Sequence, residues 1–207
     1  MHINVNFKPS DTDINANISQ ISQHIPVAFN ETIGTGEDTL GMRMNNTLTT
    51  YANNDITEIP NYCFSDCTNL NSIETPNVRK VYSHAFANTG ITTLVFPNHD
   101  FVTSSSAFQD MHQLKTVDIP SILLAGYLFR NCRNLETLIL RSTIVVTVSA
   151  SAFTGTPFAS GGSGGTAYVP NSLLSDYQAA WSDYSVTFQP IEGSPYEHYY
   201  ADGTPVE

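Results

Sequence analysis

Asp11, Asp13 and Asn15 alternate as the first ligands of a calcium loop do, and such spaced oxygen donors are what a hard cation needs. The match stops there. Ala16 stands where the sharp turn needs glycine, and Ser22 where the loop needs a bidentate glutamate. A helix cap is the better reading of residues 11–15. The six histidines, including His84 and His112, lie at no metal-ligand spacing to cysteine or carboxylate, so no metal site is expected. Cys63, Cys67 and Cys132 are an odd set, which is not a disulfide framework, and they read as small buried side chains. The nucleophile elbow, the phosphate loop, the dinucleotide fingerprint and the zinc-protease helix are all missing. Carboxylates are too scattered to nominate the facing pair of a glycosidase. The expectation is therefore no catalytic residue, no cofactor and no enzyme activity. The sequons at Asn17, Asn30 and Asn45 are what chance supplies in a chain this rich in Asn, Ser and Thr.

The elements carrying these residues are constrained by composition. The 207 residues suffice for one large domain or two small ones, and 41% hydrophobic content can fill a core. Charged residues make up 13%, about half the usual share of ~25%. The net charge of −11 comes from 8 basic against 19 acidic residues, which disfavours nucleic acid and anionic membrane surfaces as partners. The longest apolar run, residues 143–148, is strand-sized, so no membrane insertion is expected. The first residues lack a basic segment followed by an apolar one, so no secretory signal is read there.

A repeat organises the middle of the chain. Phe64, Phe86, Phe108, Phe129 and Phe153 recur at spacings of 22, 22, 21 and 24. Leu70, Ile91, Leu114 and Leu135 follow the first four, and Ile73, Leu94, Val117 and Leu138 come three residues later. Pro76, Pro97 and Pro120 close three units, and Arg141 breaks the proline series in the fourth. Units of 21–24 residues with short apolar strands are coils that bury their faces by stacking. The phenylalanines then form a core spine. Proline ends each strand because it cannot donate to the ladder. Asn69 and Asn134 read as turn formers. In such a stack Cys67 and Cys132, three coils apart, are too distant to bond.

The stretches "FSDCTNLNSIETP", "HAFANTGITTLVFP", "SAFQDMHQLKTVDIP" and "FRNCRNLETLILR" together resemble the BspA-type leucine-rich repeat family over residues 56–153. Gly90 replaces the residue before the aliphatic position, in a unit one residue shorter there. The resemblance implies a mainly β fold: a leucine-rich repeat solenoid of about four to five coils. A short N-terminal helix and a C-terminal helix and strand cap flank it. We divide the chain into an N-terminal segment and linker (1–50), the solenoid (51–153), the cap (154–191) and an acidic, tyrosine-rich tail read as mobile (192–207). Asn171 or Ser172 is expected to cap a helix through "LLSDYQAAW", with Leu173, Leu174, Tyr177 and Trp181 on its packed face. The C-terminal arrangement, a strand ending "YVP", a helix with "YQAAW" and the short strand "SVTFQPI", also resembles the ends of leucine-rich repeat proteins encoded by bacteriophages and prophages of gut bacteria.

Ile14, Ile18, Ile21 and Ile25 follow a/d spacing before Pro26. Isoleucine at both positions favours trimers or tetramers, so a homotrimer is one reading and a helix packed on the first coil the other. The family resemblance implies recognition of host surfaces or extracellular proteins through the sheet faces. Side chains flanking an inward residue point outward. Glu74, Thr93, Val95, Thr116, Asp118, Thr137 and Ile139 are thus the nominated binding positions. Two functions stay open. One is a virion component of tail-fibre, baseplate or head-fibre type, binding a host protein or glycan or another virion protein. The other is an extracellular adhesin on a bacterial cell surface.

Overall fold

The computed structural model describes residues 48–120 and 123–197. The nominated isoleucines, residues 1–47 as a whole and tail residues 198–207 lie outside them.

The chain winds into a parallel-strand solenoid of about six turns, more than the four to five expected. The difference lies at the ends, where coils lacking the full repeat signature still pair. Along one side, the pair β1 (Thr50–Ala52) and β3 (Ser72–Glu74) is followed by a five-stranded sheet of β5 (Thr93–Val95), β7 (Thr116–Ile119), β9 (Thr137–Leu140), β11 (Gly165–Val169) and β12 (Val186–Pro190), in that order. A second, narrower sheet is built from β2 (Glu58–Ile59), β4 (Lys80–Val81) and β6 (Val102–Thr103), followed by the pair β8 (Leu123–Leu124) and β10 (Thr147–Val148). Every pairing is parallel, as one strand per coil requires. Leu94, Val117, Leu138 and Ala167 stand in register and are fully buried between the sheets.

The phenylalanine spine forms as expected. Ring centroids are 5.3 Å apart for Phe64–Phe86, 5.8 Å for Phe86–Phe108 and for Phe108–Phe129, and 5.9 Å for Phe129–Phe153. Offset-stacked rings at such spacing contribute beyond their buried area. Tyr51 covers the first ring, and Phe158 and Trp181 cover the last. The three cysteines are free and buried, as read from the sequence.

A turn flanks each phenylalanine and puts two residues in the left-handed region in the first four coils and one in the fifth. Asp66, Asn88, Asp110, Asn131 and Gly155 fill the site two residues after it, with φ of 58–74°. These residue types tolerate that backbone best. Asn88 Nδ2 donates to Asp66 Oδ1 at 2.9 Å, and Asn131 Nδ2 to Asp110 Oδ1 at 2.8 Å, joining neighbouring coils.

The C-terminal cap has a 3-10 turn over Asn171–Leu173 leading into α1 (Leu174–Ala180). Neither Asn171 nor Ser172 caps it through its side chain. Instead the Asn171 N–H donates to Glu192 Oε2 at 2.8 Å. Tyr177 and Trp181 are core, and Leu173 and Leu174 pack partly against it. Trp181 Nε1 donates to the Val146 carbonyl at 3.0 Å, and the Val146 N–H donates to the Tyr177 hydroxyl at 3.1 Å, tying the cap to the last coil.

Candidate functional site

The nominated positions lie along the wider side of the solenoid in regular register. Thr93, Thr116, Thr137, Thr166 and Thr187 form a continuous threonine ladder across five strands. Thr93 and Glu74 are exposed, and Val95, Thr116 and Thr137 are half-buried. Asp118 and Ile139 contradict the expectation of an open face, being 4% and 0% exposed. They do point outward, but the chain's own residues 192–197 fold back across them. Arg141 Nε and Nη2 bond the two Asp118 carboxylate oxygens at 2.8 Å each, and Nη2 also donates to the Tyr196 carbonyl at 2.8 Å. The Tyr196 ring meets the Tyr168 ring edge-on at 4.7 Å. The start of the tail is therefore packed rather than mobile. Burial pushes the Asp118 carboxyl above its ordinary value, and the Arg141 guanidinium pulls it back part of the way.

The exposed large apolar side chains are ones the sequence did not single out: Val102 and Leu123 on strands of the other sheet, Tyr62 and Tyr127 in the turns that follow β2 and β8, and Ile144 in the loop before β10. Glu58, Lys80 and Val102 stand in register, and Leu123 pairs with Thr147. Val102, Leu123, Tyr62 and Tyr127 are each 45–50% exposed. The Tyr82 hydroxyl donates to Glu58 Oε2 at 3.0 Å, and the Lys80 ammonium lies 4.3 Å over the Tyr82 ring. Tyr62 and His84 stack at 4.9 Å. The Arg130 guanidinium sits 5.4 Å from the centre of the Tyr127 ring.

Backbone conformation marks the same surface. Tyr62, His84 and Tyr127 take φ of 58°, 56° and 56° at the first left-handed site of their coils, where Phe108's coil has Ser106 at 61°. Bulky side chains there cost about 1–2 kcal/mol each relative to glycine. An exposed aromatic held at such a cost is an outlier of the kind that clusters at binding sites. The available clue was the residue two places before each spine phenylalanine, which reads Tyr62, His84, Ser106, Tyr127 and Ser151.

Mixed aromatic, aliphatic and charged side chains on a rigid sheet suit surface recognition, with tyrosines as anchors. His84 lies beside Ser83 Oγ at 2.7 Å, and His112 Nδ1 lies 3.1 Å from the Asn131 carbonyl. Among the described residues, no group of three or more His, Cys, Asp or Glu is placed to hold a metal ion. No helix among them is long and apolar enough to cross a membrane.

No curated protein matches the sequence. A leucine-rich repeat protein from Bacteroides ovatus ATCC 8483, solved as a crystal structure at 1.19 Å, matches with 15% identity and a TM-score of 0.36. The alignment covers 60% of this chain and 44% of that one, so the chain spans less than half the length of that protein. The model of the BspA type leucine rich repeat region matches residues 43–159 in six copies, more than half of the sequence. The chain belongs to the BspA-type leucine-rich repeat family.

Proposed function

We propose that this protein is a non-enzymatic recognition module that binds another protein through the outer face of its narrower sheet. Leucine-rich repeat proteins typically serve as recognition modules. The observation that carries the reading is the set of half-exposed Tyr62, Tyr127, Val102 and Leu123, two of them held at left-handed backbone. Exposed apolar surface rimmed by polar groups marks interaction sites. The test compares the full chain with the Tyr62→Gly, Tyr127→Gly double variant for retention on bacterial cells. Retention of the parent alone, lost after protease treatment of the cells and kept after periodate, supports protein recognition by this face. Equal retention of the two rules the face out, and loss on periodate alone makes the ligand a glycan.

We further propose a virion setting, as a tail-fibre, baseplate or head-fibre component. Two features support it: the a/d spacing of Ile14, Ile18, Ile21 and Ile25, and the phage-like layout of the C-terminal cap. Light scattering after gel filtration tests it. The expected mass is about three times the monomer, reverting to monomer on deletion of residues 1–26. A monomeric full chain would shift the reading to a cell-surface adhesin.

A further inference from the structure

The proline series is broken at one position, and the break holds something. Arg141 stands after β9 where Pro76, Pro97 and Pro120 end the strands of the other coils. Its partner Asp118 is a buried carboxylate set between apolar neighbours. The strands on either side carry Val95 and Ile139 in register with it, whereas Asp118 is a charged group almost wholly removed from water. A buried carboxylate persists where a cation and hydrogen bonds compensate it. The two-pronged Arg141 contact does so and fixes the guanidinium flat at the end of the sheet. Nη2, so fixed, also takes the Tyr196 carbonyl. Ile139 provides an apolar floor, and Tyr168, its neighbour in register, provides an aromatic wall. The result is a built site across three strands.

The site holds two successive turns. The Ser194 N–H donates to the Ile191 carbonyl at 3.0 Å, and the Glu197 N–H to the Ser194 carbonyl at 3.2 Å. Ser194 Oγ accepts the Tyr196 N–H at 3.1 Å, and Pro195 sets the backbone at the second turn position. The sequence Ser-Pro-Tyr-Glu is thus shaped before it docks, which lowers the ordering cost of docking. Gly193, at φ +78° with open space around it, takes the third position of the first turn, where a positive φ favours glycine. The bond from Arg141 joins residues 55 apart, and neither that bond nor the ring contact depends on chain continuity.

The geometry points to a docking site for a proline-tyrosine turn, filled by residues 192–197 in the free protein and open to a like turn of a partner protein that displaces them. The partner offers a main-chain carbonyl to Arg141 and a tyrosine ring to Tyr168. This surface lies on the wider sheet and stands independently of the function proposed for the narrower one.

A fluorescent peptide of residues 190–197 tests the assignment against the full chain, its Tyr196→Ala variant and an Asp118→Leu, Arg141→Met double variant. Apparent affinity scales with the fraction of sites left open, so a strap closed about nine-tenths of the time weakens peptide binding about tenfold. Tyr196→Ala is expected to bind the peptide about tenfold more tightly than the parent. The double variant is expected to bind at least about tenfold more weakly than Tyr196→Ala. Arg141→Lys, which keeps the charge and loses the fork, gives the same reading should the double variant fail to fold. Equal binding by all forms, or no binding by Tyr196→Ala up to about 1 mM peptide, overturns the site.

Discussion

Replacing Arg141 by Met should destabilise the protein strongly at neutral pH and weakly in acid. The Asp118 side chain is 5% exposed, so without the guanidinium its charge has no adequate solvent. Removing one partner of a buried pair costs about 3–5 kcal/mol. Protonation sets a ceiling. A carboxyl that ionises near pH 4 in the unfolded chain can be kept neutral at pH 7 for about 1.4 kcal/mol per unit over three units, or about 4 kcal/mol. The sign follows from the raised carboxyl. The folded variant holds a proton that the unfolded chain releases, so its deficit is absent below the unfolded value and grows as pH rises towards the folded one. At pH 4 the remaining loss is the bond to the Tyr196 carbonyl, about 1 kcal/mol. Asp118→Leu should cost less, about 1–2 kcal/mol, because the Arg141 side chain is 20% exposed and its head can reach water. The double change to Leu and Met should fall within about 1 kcal/mol of the parent, as apolar replacements of buried pairs do. The single tryptophan, Trp181, is buried against Phe153 and Tyr177 and reports unfolding in urea titrations at pH 7 and pH 4. Equal costs for Arg141→Met at both pH values would refute the reasoning, as would an Asp118→Leu cost as large as that of Arg141→Met.

Other parts of the solenoid give sharper or broader responses. A Cβ on Gly90 would sit 2.5 Å from the Thr68 carbonyl oxygen, which is backbone of the preceding coil, so Gly90→Ala should cost about 1–3 kcal/mol in urea titration. Gly126→Ala meets only serine hydroxyls at 3.3 Å or more and should stay within about 0.5 kcal/mol. Phe108→Ala removes a ring packed on Phe86, Phe96 and Phe129, and should lower stability by about 3–5 kcal/mol, read as a lower thermal midpoint. Burial pushes the Cys67 and Cys132 thiols up to about 12 and Cys63 well above its ordinary value, so maleimide should label none of them at pH 8 until the chain unfolds. The folded chain keeps these protons where the unfolded chain releases them. Stability should therefore be intact below pH 9 and fall between pH 9 and 12, by up to about 1.4 kcal/mol per unit for each thiol.

The spine, the strands and the proline stops could be read from the chain because each is fixed by a residue's own physics repeated at a constant interval. A phenylalanine every 21–24 residues is either stacked or wasted, and a proline after a strand ends it whatever lies nearby. The left-handed sites were legible by the same logic, since Asp, Asn or Gly falls two residues after every spine phenylalanine. Gly90 also declared itself as a departure, although only the carbonyl of the coil below gives its reason. What could not be read is which outward positions stay outward. Periodicity assigns Asp118 and Ile139 to the solvent side correctly, but solvent access is a property of the whole chain, and a turn from residues 192–197 takes that side away. Departures from the repeat carry this information. A carboxylate set between two apolar neighbours in register and an arginine in a proline column, one coil apart, are hard to reconcile with packing alone, since each is costly without the other. Read together, Asp118 and Arg141 mark where the solenoid stops being a repeat and becomes a site.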